Sequence, residues 1–471
     1  MISKGKIGVI LPDFIDSVSF ELLSGIAEKA NSLGYDVLLF SGIFNSQPDI
    51  EYYSYIEGMD NIYELVCKAD LDGIIFGADF FNNADLKNRI YGLLEKQKAP
   101  CVVMGEEHEG YDSVFMKQRG SVKEITSHLI NEHGCRSFYF LSGFAGNRDS
   151  EERLAGFRDA LDEAGIAFDE KNVFYGNFWV KEPEKLAEKI ACGEVEMPDA
   201  VVCANDVMAM SLVNALTARG ISVPGDIAVT GFDGRWEAYM MSPRITTVIG
   251  SFYRFGSDAV RRLMSLIGRE DTSSDRSYQR IRFGTSCGCS SFEYGSDYSD
   301  DAFLKCHISR QMDRAFKQKQ YIATDYISQL SKASTMEELI ERMDSLAHIL
   351  PYWKTIDFCL CGDWFYDFSS PDSFRSQGFS DKTQLILSKR YNTNARCGYD
   401  FPTGWVVPEL NNEHEPRIWV ITSLHSYERI LGYTAASYEK AEDVCLDDLY
   451  VNWMDAVSNG LILLRRRLYR E

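Results

Sequence analysis

Asn205 and Asp233 are the residues of this 471-residue chain best placed to do chemistry, because each follows a short apolar run, Ala200 to Ala204 and Ile227 to Thr230. An amide and a carboxylate at neighbouring strand ends can form bidentate hydrogen bonds with vicinal hydroxyls, as a site for a sugar, polyol or nucleoside requires. The residues between them explain the placement. Ala200 to Ala204 is too short for a helix and is bounded by Pro198 and Asn205, which suits a strand buried on both faces. Asn205-Asp206 then caps a helix whose apolar positions Met208, Leu212, Val213 and Leu216 fall at helical spacing. Gly220 sits where a C-terminal cap belongs, and Pro224 keeps the helix from resuming. Ile227 to Thr230 predicts the next strand, ended by the turn Gly231-Phe232-Asp233. Open α/β sheets bind ligands outside the carboxyl ends of their strands, so Asn205 and Asp233 are expected to face one space. The blander roles are a helix cap for Asn205 and a turn former for Asp233.

This segment resembles the effector-binding domain of the LacI/GalR regulator family, which shares the type I periplasmic-binding-protein fold. The similarity extends to Lys6-Ile-Gly-Val-Ile-Leu-Pro12 as a first strand, and to Gly25 and Gly34-Tyr-Asp-Val-Leu-Leu39 as first helix and second strand. Arg153-Leu-Ala-Gly-Phe157 resembles the start of the second lobe's first helix, and Pro243-Arg-Ile-Thr-Thr-Val248 the segment that crosses back. The resemblance implies an α/β fold of two doubly wound parallel sheets joined by crossovers over residues 1–289. The first lobe is expected at about 5–115 and 250–288, the second at about 116–249. It also implies a ligand contact for Arg153, whose blander role is an exposed pair with Glu151 or Glu152, and an aromatic surface from Phe178 or Trp179. Which of those two points inward depends on one residue of register. Asp13, Phe14, Ser19 and Phe20 follow the first strand, where helix N-terminal amides can reach a ligand, and Asp149 is a further candidate.

A net charge of −21 argues against direct binding of nucleic acid, which needs a basic patch. The family's helix-turn-helix precedes its first strand, whereas strand-forming residues here begin at Lys6. DNA would then be reached only through an output domain outside these residues. Ile7 to Pro12 is too short for a signal-peptide core, and no run is long enough to span a membrane, so a cytoplasmic location is expected. Cysteines are scattered, several in apolar runs, consistent with a reducing compartment. The pairs Cys287-Gly-Cys289 and Cys359-Leu-Cys361 have poor spacing for zinc and read as structural, and His128 and His133 read as helix-end residues. No cofactor and no metal are expected. The sequence carries no P-loop, Gly-x-Gly-x-x-Gly, His-Glu-x-x-His or Gly-x-Ser-x-Gly, so an enzyme is not expected.

Beyond Cys289 the polar stretch 290–301 predicts a linker, followed by a connecting helix to residue 333 with Leu304, Ile308, Met312, Ala315, Ile322, Tyr326 and Leu330 on one stripe. Ser334-Thr-Met-Glu337 reads as a capping box. Strands are predicted at 356–360, 384–387, 404–407, 417–422 and 433–438, which sets residues 334–444 apart as a small α+β domain similar in element order to GAF or PAS domains. Trp353, Trp364, Phe365, Tyr366, Trp405 and Trp419 in it read as core rather than as a pocket. Residues 445–471 predict a helix with Leu446, Leu449, Trp453, Val457, Leu461, Leu464 and Leu468 as a seam for a partner helix. The chain thus reads as a cytoplasmic, homodimeric sensor of a sugar-like effector that transmits lobe closure to a C-terminal output. The alternatives are the sensory part of a diguanylate cyclase and a solute-binding protein of a sugar transport system.

Overall fold

The computed structural model describes residues 2–12, 17–43, 54–269, 280–289, 325–347, 352–365, 378–390, 398–446 and 448–468. Two compact units emerge, one made of 1–115, 256–272 and 306–471, the other of 116–255 and 273–305.

The first unit opens as a parallel α/β layer. β1 (Gly5–Leu11), β2 (Tyr35–Ser41), β3 (Gly73–Phe76), β4 (Cys101–Met104) and β5 (Asp112–Val114) pair in the order β2-β1-β3-β4-β5. β2 and β3 are buried at every position, as apolar runs covered on both faces must be. The connecting helices are α1 (Ser17–Ser32), α2 (Ser54–Asp60) and α3 (Ala84–Leu94). Gly34, at φ 90°, makes the left-handed turn from α1 into β2.

In the second unit β6 (Phe138–Ser142), β7 (Val173–Tyr175), β8 (Ala200–Cys203) and β9 (Ala228–Thr230) form a parallel sheet in the order β7-β6-β8-β9. α4 (Arg119–Glu132), α5 (Arg148–Glu163), α6 (Lys181–Ala191), α7 (Asp206–Ala218) and the short α8 (Trp236–Met240) connect the chain. The order reverses between β6 and β8, so the carboxyl ends of these two strands flank a topological switch point. Arg153 belongs to the second helix of this unit, one turn inside α5, because α4 precedes it. β10 (Thr247–Ile249) pairs antiparallel with β11 (Arg280–Arg282), and α9 (Ser251–Leu266) lies between them in sequence. Residues 280–288, expected in the first lobe, group with the second unit: Ser286 donates from its hydroxyl to Val229 O at 2.6 Å and from its amide to Arg244 O at 2.9 Å.

The C-terminal half departs most from expectation. β12 (Thr355–Cys361), β13 (Lys382–Arg390), β14 (Tyr399–Pro402), β15 (Ile418–Ser426) and β16 (Arg429–Tyr438) do not make a sheet of their own. They extend the first unit's sheet to ten strands, β14-β13-β12-β16-β15-β2-β1-β3-β4-β5. β15 is the junction, antiparallel to β16 and parallel to β2 with Val420 opposite Leu39. Asp36, fully buried on β2, fastens this seam: it accepts from Arg417 N at 2.9 Å, Trp419 Nε1 at 3.4 Å and Ser3 Oγ at 2.5 Å, and lies 2.8 Å from His414 Nε2. Residues 334–444 are therefore one layer with the first lobe's sheet, not a unit apart.

Of the five strands expected there, four match, and 404–407 does not. That stretch bends between 3₁₀ turns, with Val406 at φ 63° and Pro408 following, and the strand falls at β14 instead. α10 (Met336–Leu346) is capped one residue later than expected, Thr335 Oγ1 accepting from Glu338 N at 3.1 Å and the Glu338 carboxylate accepting from Ser334 N at 2.9 Å. The linker and most of the connecting helix lie outside the described residues, but its end, 325–330, is helical, with Tyr326 and Leu330 buried. α11 (Asp448–Leu468) does not present its seam to a partner helix. Trp453, Val457, Leu461 and Leu464 are buried in this same unit, Trp453 stacking edge-on against Phe358 at 5.0 Å, and Tyr450 Oη lies 2.6 Å from Thr422 Oγ1 on β15. Near the end of α11 the Arg467 guanidinium donates to Ser331 O and Ala333 O. Trp353, Trp364 and Trp419 are core residues as expected, Trp405 is exposed, and Tyr366 lies outside the described residues. Among the described residues no helix is long and apolar enough to cross a membrane.

Candidate functional site

The polar residues of the second unit gather where its strand order reverses. Asn205 ends β8 and caps α7, its Oδ1 accepting from Met208 N at 2.9 Å, while its Nδ2 donates to Phe178 O at 3.3 Å. It thus fills the cap role and fixes the loop that carries the aromatic. Asp233 follows β9 at φ 104°, a backbone region that a side chain with a Cβ seldom adopts, so the surrounding structure holds its carboxylate in place.

Arg153 is the centre of the cluster. Its side chain is only 4% exposed, which excludes the surface pairing with Glu151 or Glu152. Nε donates to Gln118 Oε1, one terminal nitrogen donates to Ala204 O at the end of β8, and the other lies 3.4 Å from Asp233 Oδ1. The guanidinium carbon sits 4.2 Å from the Phe232 ring centroid and 5.6 Å from that of Phe178. A buried charge needs this combination of hydrogen bonds, counter-charge and ring faces to be tolerated. Gln118, fully buried at the N-terminal cap of α4, passes the network on by donating from Nε2 to Asp149 Oδ1.

The two aromatics separate clearly. Phe178, at φ 57°, turns toward Arg153 and packs its ring over Gly143, where a Cβ would stand 2.1 Å from the ring. Trp179 is 61% exposed and is not the aromatic that meets Arg153. Ser19 and Phe20 are buried in the first turn of α1 in the other unit, and Asp13 and Phe14 lie outside the described residues.

Two members of the cluster escaped the sequence reading, Gln118 and Asp206. Asp206 is fully buried in the first turn of α7, its Oδ2 accepting from Arg235 N at 2.7 Å. Burial above all, then the nearby Asp233 charge, pushes its carboxyl up to about 8. A carboxyl raised in the folded state holds a proton that the unfolded chain has released, so it favours folding at low pH and ceases to do so as pH rises through the folded value. Asp206→Asn removes that titration. The variant's unfolding free energy minus that of the wild type should climb between about pH 4 and pH 8 and then level off. Urea titrations across that window measure it, and a flat difference would show that Asp206 is ionised in the folded protein throughout.

Four further groups converge elsewhere in this unit, contrary to their separate structural readings: ligand atoms of His128, His133, Cys287 and Cys289 all lie within 4.8 Å of one another. Cys359 and Cys361, by contrast, are interior residues of β12, and burial raises the Cys359 thiol well above its ordinary value.

A doubly wound sheet with an amide, carboxylates, a buried arginine and an aromatic ring at its switch point defines a periplasmic-binding-protein-like ligand-binding domain. The family model described as "Periplasmic binding protein-like domain" matches residues 126–287. The HTH-type transcriptional repressor PurR of Vibrio atlanticus is 30% identical over 270 residues, 56% of this chain and 75% of its own length. Catabolite control protein A of Staphylococcus xylosus is 29% identical over 267 residues, again 56% of this chain and 75% of the relative. Among solved structures, the transcription regulator CcpA of Lactococcus lactis is 24% identical, covers 60% of this chain and 99% of its own, and superposes with a TM-score of 0.46. The chain belongs to the LacI/GalR family of transcriptional regulators and carries its effector-binding domain. These relatives are regulators, not enzymes.

Proposed function

We propose that the rim formed by Arg153, Asp233, Asn205 and Phe178 binds a small polyhydroxylated effector, a sugar or related polyol, and that the chain is the sensing part of a transcriptional regulator. The observation that carries this reading is the Arg153 guanidinium, held at the end of β8 with one nitrogen 3.4 Å from Asp233 Oδ1 and the Phe178 ring 5.6 Å away. A vicinal diol can donate to the carboxylate and accept from the guanidinium, while an apolar sugar face suits the ring. Asp149 joins through Gln118 as a residue that orients Arg153.

The ten-stranded sheet supports a route for the signal. A first lobe hydrogen-bonded to the C-terminal strands through β2 and β15 cannot shift without carrying them along, so the GAF- or PAS-like element order of 334–444 serves as a transmitting layer rather than a tethered second sensor. We read the assembly as a cytoplasmic homodimer.

A thermal-shift screen against monosaccharides, sugar phosphates and nucleosides tests the reading. A ligand at 100 times its Kd should add about 2.7 kcal/mol of stability. Phe178→Ala should weaken that ligand by up to about tenfold, the loss of one favourable ring contact, and Trp179→Ala should leave it unchanged. A ligand whose affinity follows Trp179 and ignores Phe178 would place binding elsewhere.

A further inference from the structure

We propose that His128, His133, Cys287 and Cys289 are the four ligands of a structural metal site, for zinc or a similarly thiophilic divalent cation, inside the second unit. With metal–nitrogen bonds of about 2.0–2.1 Å and metal–sulfur bonds of about 2.3 Å, the edges of a tetrahedron run to about 3.3–3.8 Å. Four of the six observed edges are 3.0 Å between the two Nε2 atoms, 3.2 Å from His128 Nε2 to Cys289 Sγ, 3.4 Å from His133 Nε2 to Cys289 Sγ and 3.9 Å from His128 Nε2 to Cys287 Sγ, and the other two, both to Cys287 Sγ, are within 4.8 Å. One cation at the centre needs shifts of a few tenths of an ångström at His128, His133 and Cys289 and an approach of up to about 1 Å by the Cys287 sulfur. Two imidazoles and two thiolates are a donor set suited to tetrahedral zinc.

The local chain geometry produces this convergence. His128 lies in the closing turns of α4 and His133 is its C-terminal cap, which puts both rings at one end of the helix. Across from them, a 3₁₀ turn ends at Cys287 and Gly288 follows at φ 100°. That left-handed residue folds the chain back, so two cysteines separated by a single residue meet the same pair of rings. A Cβ on residue 288 would stand 3.2 Å from His133 Nδ1, so glycine also makes the space for that ring. The turn is anchored by the buried Ser286, bonded to Val229 O and Arg244 O.

The surroundings suit a closed site. Both cysteines are buried, and Thr246 Oγ1 donates to Cys287 Sγ at 2.9 Å, a contact that orients and stabilises a thiolate. The Phe283 ring covers His128 at 4.5 Å. Four protein ligands leave no open position, so the metal's work is to clamp the end of α4 to the segment after β11. Binding releases the two thiol protons to solvent and ties metal affinity to folding.

The test uses the full chain, reduced, stripped with a chelator and reloaded with zinc or cobalt. We expect one metal per chain by elemental analysis, and a cobalt form with the visible bands of tetrahedral coordination and a thiolate-to-cobalt charge-transfer band. Zinc should protect two thiols from modification in the native wild type and raise its melting temperature. His133→Gln and Cys289→Ser should each lose stoichiometric metal, whereas Cys192→Ser, at an exposed cysteine, should keep it. Should the ligand variants fail to fold, the thiol count on the wild type still decides. Absence of stoichiometric metal, a cobalt spectrum without thiolate charge transfer, equal thiol reactivity with and without zinc, or a Cys287–Cys289 disulfide in the freshly reduced, zinc-loaded protein would overturn the proposal.

Discussion

Asp36→Ala is expected to cost about 3–5 kcal/mol, the range for removing one member of a buried ionic contact. It should also loosen the C-terminal strands before the parallel layer. The wild-type carboxylate collects Arg417 N, Trp419 Nε1, Ser3 Oγ and His414 Nε2, all but the serine from the segment that brings β15 onto β2. Alanine leaves these donors facing a fully buried position. The contact has its own pH signature. The hydrogen bond to Asp36 is the main cause that raises the His414 imidazole above its ordinary 6.5. A base raised in the folded state contributes stability that is complete below the unfolded value and fades as pH rises through the folded one. This contact should therefore add to wild-type stability a decline above about pH 6.5 that Asp36→Ala makes shallower. Urea unfolding followed by tryptophan fluorescence reads the loss, because Trp419 is buried at the seam. Asp36→Asn, which keeps one acceptor, should fall between the two. A cost below about 1 kcal/mol for the alanine variant would mean that β-sheet pairing alone holds the junction.

That junction shows what a sequence of this kind conceals. Local patterns located the elements well where one face or one cap decided them: the runs that became β8 and β9, the Asn205 cap, and most of the C-terminal strands. Periodicity cannot tell which sheet a strand joins, because the same alternation serves an independent domain and an extension of a distant sheet. Arg417 and Asp36, bonded at the seam, stand 381 residues apart. Residues 404–407 had strand composition, but Val406 at φ 63° and Pro408 just after the stretch break it into bends between 3₁₀ turns. The seam of α11 was real as a pattern and ambiguous in destination, since an apolar stripe fits a sheet of the same chain as well as a partner helix. In the candidate site, Arg153, Asn205 and Asp233 were legible from strand ends and motif, while Gln118 and Asp206 gave no signal beyond a polar residue at a helix start. The two histidines and two cysteines were visible only as separate pairs, because the fold joins segments more than 150 residues apart.

Arg153→Ala is expected to abolish effector binding and to destabilise the second unit by about 3–5 kcal/mol. The guanidinium donates to Gln118 Oε1 and Ala204 O and lies 3.4 Å from Asp233 Oδ1, so its removal takes a donor from two buried acceptors and a counter-charge from a carboxylate at once. It also removes a positive charge beside the Asp233 and Asp206 carboxyls, so the folded variant should take up protons more readily than the wild type. Stability is then lost more steeply as pH rises toward and beyond the Asp206 value of about 8, which separates this mechanism from a simple packing cavity. Arg153→Lys tests the geometry: an ammonium keeps the charge but cannot span a side-chain amide, a main-chain carbonyl and a carboxylate from one planar fork. It should recover the pH profile of the wild type and only part of its stability, with effector binding still impaired. Chemical unfolding at several pH values, paired with the thermal-shift screen, separates the outcomes. If Arg153→Ala keeps both its stability and its ligand response, the arginine is neither the keystone of this network nor a contact for the effector.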